Sequence, residues 1–328
     1  MISKLNLALL VAILLLLGMA CTLGSTALPA STVIGALLGQ GDPLHIAVVW
    51  EVRLPRALAA VTVGLALGLS GAALQGLLRN PLAEPGVLGV SASAALLATF
   101  TIYYGLAVTW YYAVPVSAIA GALVATALIV LIVRHTQSVV ALILVGVGIS
   151  SFAGAMMSLL LNFAPHPFTL SDMISWTLGS VANKSLGDLY LVLPFLVLGS
   201  IILWRTRAGL AVLTLGEEAA QGVGLNIHAQ RVWVTLGAGI CTGAAVALAG
   251  AIGFVGIVAP HLVRPWVHYD AARTLLPSAL LAAALVLLAD IVIRVLPTTS
   301  ELKLGVAAAL FGAPVFVWIA VQRGIRDR

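Results

Sequence analysis

The chain offers phosphate, metal or acid–base chemistry only three lysines, six histidines, two cysteines and eleven acidic residues. A nucleotide-binding P-loop needs GxxxxGK followed by Ser or Thr, so that backbone amides and the lysine cradle phosphate. Lys184 alone precedes a hydroxyl residue, Ser185, and Asn183 stands where the second glycine belongs. Any ATP must therefore be handled by another polypeptide. Glu217-Glu218 is the sole adjacent acidic pair, thin material for a magnesium-phosphate enzyme, which wants paired carboxylates. His166, in Ala164-Pro-His-Pro167, could reach a metal, but a lone loop imidazole is more often simply solvated. No His/Cys/Asp/Glu cluster has metal-ligand spacing, so no metal site is expected. Cys21 and Cys241 sit in apolar runs and form no disulfide framework. Arginine is different. Arg53-Leu-Pro-Arg56 and Arg294 present permanent charge on a planar fork suited to carboxylate. Plainer readings stand beside this: an i,i+4 pair of Arg294 with Asp290, and Arg53 as a snorkelling anchor. Glu51, beside Arg53, could partly neutralise the group.

The elements that hold these residues must lie in lipid. Of 328 residues, 62% are apolar and 8% charged, whereas a soluble domain carries about a quarter charged residues. Such a chain cannot clothe a water-facing surface, which excludes a soluble enzyme, a disordered regulator and a nucleic-acid-binding domain. A span needs about 20 apolar residues. Charge-free windows cover residues 5–41, 57–78, 85–133, 136–171, 189–204, 232–263, 274–289 and 304–322. The window 85–133 holds two helices with a turn near Gly105–Trp110. The window 232–263, broken at Gly250, Gly253, Gly256 and Pro260, holds one full helix and a shorter one. The expectation is an all-α, polytopic membrane protein with ten transmembrane helices.

Lys4 followed by an apolar run to Ala20 imitates a secretory signal, but Gly18 stands where a lipoprotein signal wants an aliphatic residue. We read an uncleaved first span. Lys and Arg then divide eleven to five in favour of the N-terminal side, which predicts both termini in the cytoplasm. Arg53, Arg56 and Arg294 fall on the poorer, outer side. The segment 206–230 is too polar for lipid and forms a cytoplasmic loop. An internal echo links Gly64–Ala72, with Pro81, to Gly243–Ala251, with Pro260, at an offset of 179 residues. An inverted repeat and a chance match of Gly- and Ala-rich helices account for it about equally well.

Arg79-Asn-Pro-Leu-Ala-Glu-Pro-Gly-Val-Leu-Gly-Val-Ser91 is the most distinctive stretch: Pro81 and Pro85 stop one helix, and Gly86 and Gly89 allow tight re-entry into the next. With Asn80, Pro81, Glu84, Pro85 and Gly86 it resembles the NPLA-(E/D)-PG-LG signature of the FecCD family, membrane permeases of ABC importers for iron-siderophore chelates, haem and cobalamin. Gly250–Arg264, with Pro260 and His261, resembles that family's second signature, and Ala289–Arg294 and Gly312–Trp318 match two further blocks. The likeness covers nearly the whole chain in order.

The resemblance implies a single permease domain over 1–328 with a BtuC-like fold. It also implies a homodimer, two separate ATPase subunits that use ATP and magnesium, and a periplasmic substrate-binding protein, in a bacterial inner membrane. It assigns docking of the binding protein to Arg53, Arg56 and Arg294. Coupling to the ATPase falls to Gly216, Glu217, Glu218, Gln221 and Gly222. A cytoplasmic gate falls near Val139 and Val140, where the family has small polar residues. No cofactor bound by this chain is expected. The implied cargo is an iron chelate, siderophore or haem, with cobalamin as the alternative. An ion-coupled carrier is the weaker rival, because Asp290 is the one ionisable candidate inside a span.

Overall fold

The computed structural model describes residues 4–24, 26–135, 139–296 and 301–326, and among them every regular element is helical. The chain runs through α1 (Lys4–Thr22), α2 (Ala30–Leu37), α3 (Pro43–Ala47) and a π-helical turn, Val48–Arg53, that leads without a break into α4 (Leu54–Leu77). After the signature loop come α5 (Val90–Tyr103), α6 (Leu106–Thr109), α7 (Ala113–Val133), α8 (Val139–Asn162), α9 (Pro167–Thr177) and α10 (Leu186–Leu213). The last third holds α11 (Glu217–Gly222), α12 (Ile227–Ala249), α13 (Val255–Val263), α14 (Ala271–Val295) and α15 (Leu304–Arg326).

Hydropathy alone does not sort these helices, because nearly all are apolar around the whole circumference. Residue size does. α4 is buried along almost its full length and packs on α14, α12 and α10. Gly64, Gly68 and Gly71 line its contact face. A Cβ at Gly64 would stand 2.6 Å from the Ala282 carbonyl oxygen, so glycine there is a condition of the α4–α14 contact. α12, equally buried, uses Gly239 and Gly243 against Thr126 and Ala122 of α7. Small residues let backbones approach where lipid supplies no hydrophobic drive between helices. Leucines occupy the outside instead: Leu7, Leu14 and Leu15 of α1 are exposed, as a lipid-facing helix requires.

Seven helical segments are long and apolar enough to cross a membrane. Each of the ten segments read from the sequence carries a helix, but three fall short of a standard span. α5 has 14 residues, α13 has 9, and the apolar part of α15 ends at Trp318. At 1.5 Å per residue α13 reaches only about 14 Å, roughly half a hydrocarbon core. The break before it is conformational: Gly250 adopts φ +72° and Phe254 φ +65°, both left-handed.

The segment 206–230 is partly helical: α10 continues to Leu213 with Thr206 buried inside it, and α12 begins at Ile227. Exposed Arg205 and Arg207 end the charge-free window without ending the helix, since long cationic side chains snorkel from a helix end. The echo at offset 179 holds over the glycine stretches of α4 and α12, both central, and fails at its proline. Pro81 lies in a turn, whereas Pro260 is inside α13.

Candidate functional site

The two signature segments meet. Asn80 closes the first turn after α4 by accepting the Leu82 N–H at 2.9 Å through Oδ1. Pro81 and Pro85 are buried, and Pro85–Leu88 forms a 3-10 turn that ends on Gly89 at φ +77°. The Gly86 carbonyl accepts a long hydrogen bond from Ser150 Oγ of α8 at 3.4 Å. Glu84 Oε1 accepts the Phe254 N–H at 2.6 Å, so a carboxylate from one signature caps the first turn of α13 in the other. Pro260 and half-buried His261 lie further along that helix.

A residue absent from the sequence reading completes this junction. Gln75, 1% exposed in the last turns of α4, donates through Nε2 to the carbonyls of Ala83 and Gly256, both at 3.3 Å. Its Oε1 accepts Arg264 Nη2 at 2.7 Å. The only sequence signal for it was a lone amide in an otherwise Gly-, Ala- and Leu-rich helix.

Burial pushes the Glu84 carboxyl above its ordinary value of 4.5, while the Phe254 N–H works the other way. The folded state therefore holds this proton more tightly than the unfolded chain. The stabilising contribution is complete below about pH 4.5 and is lost as pH rises through the folded value. Glu84→Gln should flatten that part of the profile, which thermal unfolding between pH 4 and 8 would read. Glu84→Ala should cost about 1–3 kcal/mol, because the Phe254 donor loses its partner.

At the other end of α4 lies the arginine cluster. Arg53 is 5% exposed and donates to the carbonyls of Cys21, Thr22 and Thr26 at 2.8, 2.9 and 2.6 Å. It ties the π-helical turn to the end of α1, so its donors are spent inside the chain. Arg56 donates to both oxygens of Asp290 at 2.7–3.2 Å and also pairs with Glu301. Arg294 pairs with the same Asp290 at 3.2 Å and donates to the Ala20 carbonyl at 3.1 Å. The i,i+4 pair thus forms, and Asp290, 1% exposed, is clamped between two guanidinium groups. Glu51 points to solvent; the acids that reach Arg56 are distant in sequence, and Asp290 also serves its i,i+4 neighbour Arg294. The three arginines and Glu301 line a cleft of about 430 Å³, and with the buried Asp290 counted the cluster keeps one positive charge in excess.

Between α10 and α12 the connection holds α11, six residues with Gly216 at its start and Gly222 at its end. Glu217 pairs with Arg231 of α12 at 2.7 Å, which fixes the short helix to the bundle. Glu218, Gln221 and Gly222 face solvent. So do Leu215 and Val223, 73% and 70% exposed, apolar residues that the sequence reading passed over. An exposed apolar pair flanking acids is a surface fit for a protein partner.

Val140, in the first turn of α8, is 65% exposed; the side chain of Val139 and residues 136–138 lie outside the described residues. His166 is exposed at the entrance to α9, and no group of three or more metal-ligating side chains occurs among the described residues.

Residues 9–322 match the model of the FecCD transport family. The chain belongs to that family. This FecCD chain is 37% identical to the uncharacterized ABC transporter permease protein YvrB of Bacillus subtilis, over 95% of its own length and 91% of that protein. It is 39% identical to the vitamin B12 import system permease protein BtuC of Yersinia enterocolitica, over 84% and 82% of the two chains. A solved ABC transporter described as of metal-chelate type, in an inward-facing conformation, superposes with a TM-score of 0.87 at 31% identity, covering 97% and 99% of the two chains. The FecCD chain is a transport permease of ABC-importer type and a multi-pass membrane protein. Asp290, the carboxylate read from the sequence as the candidate for ion coupling, is committed to Arg56 and Arg294.

Proposed function

We propose that this chain is the permease subunit of a binding-protein-dependent importer that carries a bulky iron chelate, a ferric siderophore or haem, across the inner membrane. Two copies form the translocation unit, each with ten membrane segments and cytoplasmic termini. Separate ATPase subunits drive it from the face that carries α11, and a binding protein delivers cargo at the arginine cleft. The observation that carries this reading is the family match along residues 9–322 in a chain without a P-loop. Scarcity of charge within the spans suits weak holding of a bulky ligand and suits bare ions poorly, since their desolvation needs polar coordination. The solved relative described as of metal-chelate type supports the cargo class. Cobalamin is the second reading, favoured by the identity to BtuC.

In this account Arg56 and Arg294 receive carboxylates of the binding protein, and Glu218, Gln221 and Gly222, with Leu215 and Val223, seat α11 on the ATPase. Uptake of haem, a ferric siderophore and cobalamin should be compared in vesicles holding this chain, its ATPase and candidate binding proteins. ATP-dependent accumulation of an iron chelate alone is expected; accumulation of cobalamin alone would replace the cargo. Glu218→Arg with Val223→Asp should weaken ATPase association about tenfold, as loss of an interface anchor does. Unchanged co-purification of the ATPase with that variant would remove the coupling role.

A further inference from the structure

At the end of the bundle opposite the arginine cluster, a cleft of about 900 Å³ opens between the start of α1, the last turns of α10, the turn Arg264–Val267 and the start of α14. Lys4, Trp204, Arg207, Trp266, His268 and Arg273 line it. None of the functions assigned above uses these residues. We propose that this cleft binds the phosphodiester headgroup of an anionic phospholipid in the leaflet on that side.

Charge is the first argument. Among the described residues no carboxylate pairs with Lys4 or Arg207, and Arg207 instead lies 4.4 Å from the centre of the Trp204 ring. Arg273 is 74% exposed and pairs only loosely, at 3.3 Å, with Asp270, the one acid at the turn. Asp270 also caps α14, accepting the Ala272 and Arg273 N–H groups, so its charge is shared. The cleft therefore keeps a surplus of cations. Basic pockets between transmembrane helices at a membrane surface take anionic headgroups.

The second argument is independent of charge. Leu193, Val197, Ile201 and Trp204 are exposed at helical spacing along α10, and Arg207 follows them into the cleft. On α1, Leu7, Leu10, Val11 and Leu14 form a second exposed stripe, with Lys4 before it. Two lipid-facing stripes thus end in cations at one place, which matches acyl chains joined to a charged head. Trp266, 73% exposed, and Trp204 sit where interfacial tryptophans belong. A soluble phosphate would use the cations and leave both stripes idle.

The test uses the full chain purified in a neutral detergent and titrated with dioleoyl phosphatidylglycerol, dioleoyl phosphatidylcholine or sn-glycerol 3-phosphate, with binding read by native mass spectrometry. Phosphatidylglycerol should bind at least tenfold more tightly than phosphatidylcholine, and glycerol phosphate at equal concentration should not displace it. Lys4→Gln with Arg207→Gln should reduce the preference about twenty-five-fold, since each cation near the surface contributes about a fivefold factor. Arg207→Lys should retain most of it. Lys4→Gln alone, at an exposed helix start, should lose about fivefold and covers the case in which the double variant does not fold. Equal binding of the two lipids, displacement by glycerol phosphate, or an unchanged preference in Lys4→Gln would each overturn the assignment.

Discussion

Asp290→Asn should destabilise the chain by about 3–5 kcal/mol, the cost of leaving buried charge without its counter-ion. The carboxylate is 1% exposed and receives Arg56 and Arg294 together. Asparagine keeps the shape and one acceptor but removes the charge, so two guanidinium groups confront each other without mediation. Glu301 cannot substitute, because it reaches Arg56 from an exposed position and makes no pair with Arg294. Thermal unfolding in detergent would measure the loss. Adding Arg294→Gln to Asp290→Asn should restore part of it, because the interaction energy within one network is not additive. Full additivity of the two substitutions would show that the pair is not coupled.

Gly71→Leu should prevent the native bundle from forming, whereas Gly222→Ala should change stability by less than about 0.5 kcal/mol. A Cβ at Gly71 would lie 2.7 Å from the Gly256 Cα and closer still to its carbonyl oxygen. Both are backbone atoms, so no side chain can swing away. Even alanine must push α4 and α13 apart, at a cost of about 1–3 kcal/mol. That movement also breaks the Gln75 hydrogen bond to Gly256 and loosens the joint between the signature segments. Gly222 has open space around its Cβ position. Protein yield in the membrane and monodispersity after extraction compare the two; a well-folded Gly71→Leu protein would refute the close approach.

What could be read in the sequence was what depends on local composition. The Gly250 break, the Pro81–Gly89 re-entry and the i,i+4 pair at Asp290 follow from nearby residues and have counterparts in the fold, as do the ten apolar segments in so far as each carries a helix, seven of them long enough to span. Partners across the chain were hidden. Arg56 meets Asp290 across 234 positions and Glu301 across 245, and no periodicity signals such a pairing. Arg53 looked like an outward-facing charge because arginine at a span end commonly is one. Only the curl of α1 and the following residues around it reveals three carbonyls closing on its guanidinium. Charge marks where lipid ends and not where a helix ends, so the continuation of α10 to Leu213 could not be read from composition.

The surface of α11, proposed above to seat on the ATPase, shows the reverse. Glu217 and Glu218 are neighbours of one type in the sequence, yet one faces Arg231 and the other faces water. They should therefore part in experiment. Glu217→Ala weakens the seat of α11 on α12, while Glu218→Ala alters only what the surface presents to a partner.

The most direct measurement is accumulation of a labelled iron chelate in sealed vesicles containing this chain, with and without its ATPase, under ATP or under an imposed proton gradient. The account predicts accumulation only when ATPase, binding protein and ATP are all present. Accumulation by the chain alone under the gradient would contradict it.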